Sequence, residues 1–254
     1  MNPYHLSICQ WAIALAGAFV LGVSKTGIAG VGSFVIAVFA LILPARESTG
    51  IILPLLICGD VVAVKSYHRH AVWGHLWRLF PWAVTGIIIG YFTMDHINDQ
   101  QVQRLIGAIL LVMVAVHWWR RRMLSRDPEH ADEHIPHGLW FSATMGLLAG
   151  FTTMVANAAG PIMILYLLAM GLPKMEFLGT GAWYFMILNV FKVPFSCHLG
   201  LINPSSFSLN LILAPAVVAG ALWGRSVIQH INQKLFESIA LVSTLVVGLR
   251  LLAA

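Results

Sequence analysis

Charge is what this sequence has least of. Only 10% of its 254 residues are Asp, Glu, Lys or Arg, against roughly 25% in a soluble domain. Uncharged runs cover 26–45, 79–94, 138–173 and 193–224. A spanning helix needs about 20 apolar residues, so this composition excludes a chain that is mainly soluble domain. The weak alternation of a membrane β-barrel is missing as well. Cysteine is scarce: Cys9, Cys58 and Cys197 lie far apart, without metal-ligand or redox spacing, and read as small packing residues. Within the apolar segments there are no paired carboxylates, no zinc-protease motif and no Ser/His pair at helical spacing, which argues against an intramembrane enzyme; no cofactor is expected. No Lys or Arg precedes the first apolar run, so a cleaved signal peptide is not expected either.

What is present is hydrophobicity, 59% of the chain, with nine tryptophans and a net charge of +5. In a membrane chain this charge reads as Lys and Arg gathered on the cytoplasmic side, not as a nucleic-acid footprint. Trp73, Trp77, Trp118 and Trp119 lie near basic stretches, as an interfacial belt requires. The fold expected is an all-α, multi-pass membrane protein.

The chain also resembles itself. "GVSKTGIAGVG" at 22–32 aligns with "GFTTMVANAAG" at 150–160, and "LPARE" at 43–47 with "LPKME" at 172–176. Gly86 and Gly90 align with Gly220 and Gly224, "HIN" at 96–98 recurs at 230–232, and Asp60 falls opposite Asn189. Together these matches predict a duplicated unit: a first repeat over 1–117, a linker over 118–137 and a second repeat over 138–254. Apolar segments are expected at 6–22, 27–43, 48–64, 79–94 and 101–119, then at 138–151, 158–171, 177–193, 207–224 and 235–252. Five per half is an odd number, so the second repeat should enter the membrane inverted. Loop charge agrees. Residues 65–78 carry Lys65, Arg69 and Arg78, whereas the equivalent 194–208 carries no Lys or Arg. Residues 91–100 carry none, whereas 225–234 carries Arg225 and Lys234. Loop 65–78 and the arginine-rich linker should therefore face the cytoplasm, with both termini outside.

Each repeat holds a break. As one helix, the uncharged run 138–173 would be about 54 Å long, well beyond a roughly 30 Å hydrocarbon core. "NAAGP" at 157–161 is the interruption: Pro161 suits a first helical turn and Asn157 a cap. By the repeat, the first half breaks over Ser24–Gly32, where Lys25 stands among Ser24, Thr26 and Gly27. Two readings are open. Both breaks are ordinary surface turns with Lys25 as an interfacial anchor, or both lie deeper and aim helix N-termini at a substrate. The second reading predicts a small anion, because free N–H groups, the helix dipole and a lysine all favour negative charge. Ser24, Thr26, Thr152, Thr153 and Asn157 would add hydrogen bonds without further charge. Lys192, one turn after Asn189, either joins that site or snorkels to the interface. Asp60, inside "LLICGDVVAV", needs a cavity or a basic partner, since a charge at mid-helix costs about 2.5–3.5 kcal/mol to insert.

The Gly86/Gly90 and Gly220/Gly224 pairs are expected to permit close helix packing. His68, His70 and His75 read as a solvated loop. His130, His134 and His137 have no fixed geometry, and no metal site is expected.

On "GVSKTGIAGVG", "LPARESTGIILPLLICGDVVAVKSYHRHAVW", "AAGPIMILYLLAMGLPK" and "NVFKVPF" the chain resembles the TauE/SafE family of sulfite exporters, over essentially its whole length. The resemblance implies an inverted-repeat carrier in a bacterial inner membrane, moving sulfite, sulfoacetate or a related small sulfur anion. It leaves open whether the chain pairs as a homodimer. It agrees with the candidate substrate site read from the breaks and the intramembrane charges: Ser24, Lys25, Thr26, Gly27, Asp60, Thr152, Thr153, Asn157, Asn189 and Lys192.

Overall fold

The computed structural model describes residues 4, 6–27, 32–126 and 138–227, with isolated positions between 245 and 253. All regular structure among the described residues is helical. The helices are α1 (Ile8–Thr26), α2 (Gly32–Ile42), α3 (Ala45–Tyr67), α4 (Trp73–His96), α5 (Asp99–Arg126), α6 (Leu139–Ala156), α7 (Gly160–Ala169), α8 (Lys174–His198) and α9 (Pro204–Val227), with a 3₁₀ turn at His68–His70. Local chemistry sets several ends. Ser7 and Gln10 form a reciprocal capping box at the start of α1. Pro44 and Pro173, the prolines of the matched "LP" stretches, both stand at the N-cap, opening α3 and α8. Pro81 in α4 and Pro215 in α9 occupy equivalent interior positions.

Four of the described helical stretches are long and apolar enough to cross a membrane: Ile8–Thr26, Ala45–His70, Leu139–Ala156 and Pro204–Ser226. The chain is thus a multi-pass membrane protein. Trp77, Ile89 and Phe92 on α4 and Leu211 and Leu222 on α9 are exposed, an outer surface that suits lipid. In contrast, α2 and α7 have only 11 and 10 residues, about 15 Å, or half the hydrocarbon thickness. Each folds back along the helix before it. Gly17 of α1 faces Val35 and Phe39 of α2, and Phe141 of α6 stacks on Tyr166 of α7.

Two helix pairs pack in the same way. Helix α1 lies along α9, and α4 along α6, each pair parallel and in close contact through glycine. A Cβ at Gly22 would strike the Val217 carbonyl, and one at Gly220 the Phe19 carbonyl. The equivalent pair repeats this: Gly150 meets the Ala83 carbonyl and Gly86 that of Leu147. Gly90 and Gly224 also leave no room for a methyl. Helices α3 and α8, which are equivalent elements, run antiparallel. Gly50 faces Leu201, Asp60 faces Asn189, and the Tyr67 carbonyl faces Gly179.

Some boundaries differ from the hydropathy reading. Lys65 is still in α3 and Arg78 already in α4, so the basic loop shrinks to a tight turn at 68–72. Helices outlast their apolar runs because polar ends remain hydrogen-bonded in the interface; Trp73 and Trp77 sit on the first turns of α4. Helix α5 continues through Arg126, so the start of the expected linker is helical. Residues 127–137, with the His130/His134/His137 cluster, and most of segment 235–252 lie outside the described residues.

Candidate functional site

Asp60 lies on α3 roughly 22 Å of helix from Ala45 and about 15 Å from His70. It is therefore close to the middle of the bundle, and it is buried. Two partners hold it. Lys25 Nζ lies 2.7 Å from Oδ1, and the Asn189 amide donates to Oδ2 at 2.6 Å. The Lys25 contact is a close ion pair, and an ammonium carries three N–H donors, more than one carboxylate oxygen takes up. Lys25 is the more open partner, its side chain 10% exposed against 1% for Asp60, and its ammonium stands 4.7 Å over the Phe185 ring. Asp60 and Asn189, which align when the sequence is compared with itself, thus touch each other.

The second cluster is built around Lys192, which is fully buried. Its Nζ donates to the Thr153 carbonyl at 2.8 Å, approaches Thr153 Oγ1 at 2.9 Å and donates to Asn157 Oδ1 at 2.7 Å. Asn157 ends α6 in the left-handed conformation, φ 50° and ψ 26°, which asparagine tolerates better than most residues. It therefore caps the helix before the break, and its amide donates to the Thr49 carbonyl at 2.8 Å. A cation at the carbonyl end of α6 also sits on the favourable side of the helix dipole.

The two breaks enter the bundle from opposite ends of α3. At the first, Tyr67 near the end of α3 donates to the Thr26 carbonyl at 2.8 Å. At the second, Asn157 holds Thr49 near the start. Between them lies a cavity of about 90 Å³, far smaller than the roughly 300–1,000 Å³ of a pocket for drug-sized ligands. Lys25 and Asp60 supply its charges. Gly32 and Gly160, the first residues of α2 and α7, also line it, so two helix N-termini open toward the space beside Lys25. A cation and the positive ends of two helix dipoles around a small volume can hold a small anion.

Seven of the ten residues selected from the sequence line this cavity: Ser24, Lys25, Gly27, Asp60, Thr153, Asn157 and Asn189. Three stand behind it. Thr26 donates to the Ala221 carbonyl at 2.6 Å, tying α1 to α9. Thr152 returns its hydroxyl to the Leu148 carbonyl of its own helix. Lys192 fixes the second break from behind and does not snorkel. Sequence reasoning missed Phe185, which supplies the ring under Lys25, and Gly181 and Ala182, whose small side chains keep the cavity open. The signal for Phe185 was available: it precedes Asn189 by one helical turn on α8. Among the described residues no group of three His, Cys, Asp or Glu side chains is placed to hold a metal.

The family model described as sulfite exporter TauE/SafE matches residues 14–251, nearly the entire chain. The chain belongs to the TauE/SafE family. No curated protein and no solved structure matches it. Membership makes it a membrane transporter for sulfur-containing anions and accords with the lack of catalytic motifs in its sequence.

Proposed function

We propose that this chain is an exporter of sulfite or a closely related organosulfonate, and that its substrate binds in the cavity beside Lys25. The observation that carries this reading is a partly open lysine, oriented by a buried carboxylate, facing a small cavity at the starts of two half-length helices. The two halves act as inverted repeats. This is supported by the antiparallel run of the equivalent helices α3 and α8, by the exchanged pairs α1/α9 and α4/α6, and by the opposed Lys and Arg counts of equivalent loops. Transport then proceeds by rocking of one repeat against the other around the fixed site. The working membrane is the bacterial inner membrane, with the turn at 68–72 and the linker in the cytoplasm and both termini outside.

Direction follows from charge. Moving one charge across 100 mV is worth about 2.3 kcal/mol, so an anion leaving a negative interior moves downhill without a coupled ion. Uptake of labelled sulfite into proteoliposomes tests the reading: potential-driven accumulation is expected when the lumen is positive, and no uptake above empty vesicles would overturn it. Sidedness is tested by one cysteine at position 70 in a cysteine-free background, the native cysteines being Cys9, Cys58 and Cys197. His70 is exposed. Labelling from inside is expected; modification by an impermeant reagent from outside would reverse the topology.

A further inference from the structure

The cavity beside Lys25 contains a charge pair, not a lone cation. Lys25 Nζ is 2.7 Å from Asp60, and the carboxylate cannot swing away because Asn189 holds its other oxygen. Any anion in the cavity therefore meets one positive and one negative group at short range. Lys192 adds little directional attraction: it faces Thr153 and Asn157, and those residues, not its ammonium, line the cavity. Phe185, which also lines the cavity, sets an apolar ring 4.7 Å from the Lys25 ammonium.

We infer that this site selects singly charged oxyanions over doubly charged ones, with Asp60 as the residue that sets the limit; the inference rests on the transport reading above. The warrant is Coulomb's law in a poorly screened interior, where each added charge weighs far more than in water. A monoanion beside the Lys25–Asp60 pair gains the lysine and meets the carboxylate's repulsion once. For a dianion the attraction and the repulsion both double, so the nearly neutral pair compensates little of the second charge, which is left as a larger uncompensated negative charge inside the bundle. Helix N-termini offset only a fraction of a charge each. The ranking does not depend on Lys192: whether that amine counts as one positive charge or none, the monoanion leaves the smaller imbalance and has less hydration to lose. The charged and titratable groups acting on Asp60 are Lys25 from α1, Lys192 from α8 and Cys58 on α3 itself. The cavity volume suits a compact head such as a sulfonate or hydrogensulfite.

The test uses two anions whose charge is fixed near neutral pH: methanesulfonate, a monoanion, and sulfate, a dianion. Binding to the full chain in detergent should be at least tenfold tighter for methanesulfonate. Asp60→Asn removes one negative charge, and the ratio should move toward sulfate by tenfold or more, since the added net charge acts twice on a dianion. A second measurement avoids any folding defect in that variant. Wild-type sulfite uptake should fall as pH rises through the second ionisation of sulfite, while methanesulfonate uptake stays level. Equal or tighter sulfate binding by the wild type overturns the inference, as does a ratio unmoved in a well-folded Asp60→Asn protein or sulfite uptake that rises with pH. Binding of neither anion, nor of sulfite, overturns the transport reading itself.

Discussion

Each of the two breaks lies beside a lysine, Lys25 partly open and Lys192 fully buried, and the two lysines do opposite things. At the second break, Lys192 faces three acceptors, holding Thr153 and Asn157 in place, and it lies behind the cavity wall. At the first, Lys25 has a carboxylate and an aromatic face for partners and its head reaches the cavity. The repeat does not duplicate either arrangement: the position matching Lys25 is Thr153, and the one matching Lys192 is Ala63. A break in a membrane must satisfy its backbone somehow. The second break does so with a fixed cation, whereas the cation at the first reaches the cavity. Chemistry at such a site depends on what a lysine has as partners, not on the presence of a lysine.

The comparison breaks first at Lys192. Replacing it by methionine removes the cation and leaves the Thr153 carbonyl and Asn157 Oδ1 without that donor. Bonds to charged donors are worth about 1.5–3 kcal/mol each, but partners can be replaced within a bilayer. A loss of about 2–4 kcal/mol is expected, read as a lower unfolding midpoint in detergent. A Lys192→Met protein as stable as wild type would mean that this lysine is not a structural staple.

Lys25→Gln should do the reverse: a tenfold to hundredfold loss of anion affinity, about 1.4 kcal/mol per tenfold, with a smaller effect on unfolding. Because the single change leaves Asp60 buried without a cation, the double variant Lys25→Gln/Asp60→Asn should recover yield without recovering binding. Wild-type affinity in either protein would return Lys25 to the role of an anchor.

The symmetry itself is sharpened by glycine. Gly22→Ala and Gly150→Ala each drive a methyl into a carbonyl of the partner helix, Val217 and Ala83 respectively. Overpacking of this kind costs about 1–3 kcal/mol, and the two changes should match within experimental error. At Gly181, where the nearest atom is a Leu167 methyl 3.7 Å away, alanine should leave stability unchanged. A large difference between Gly22→Ala and Gly150→Ala would mean that the two interfaces are not equivalent.

The smallest effect is expected at Thr152. Its hydroxyl only returns to its own helix, so Thr152→Ala should cost about 0.6 kcal/mol and leave anion affinity as it was. Thr153→Ala removes a contact of Lys192 and should cost more. An affinity loss at position 152 greater than at 153 would place the substrate on the wrong side of α6.

Much of this molecule is set by its sequence alone. Helical spans, the duplication and both breaks follow from apolar runs that are too long for one crossing and from glycine, proline and asparagine where backbone must turn. Those are local or periodic signals, and the same residues that carry them carry the family match. Only tertiary structure decided the partners. Nothing in "NVFKVP" says that Lys192 points at Asn157, 35 residues earlier, or that Asp60 lies between Lys25 and Asn189. Those pairings depend on which helices lie side by side, and that follows from glycine-lined contacts between distant segments. A buried lysine is equally compatible, as a letter in a sequence, with anchoring, stapling or binding. The identity and direction of the groups it meets make the difference, because in a low-dielectric interior a hydrogen bond or charge at about 3 Å is poorly screened and weighs far more than in water.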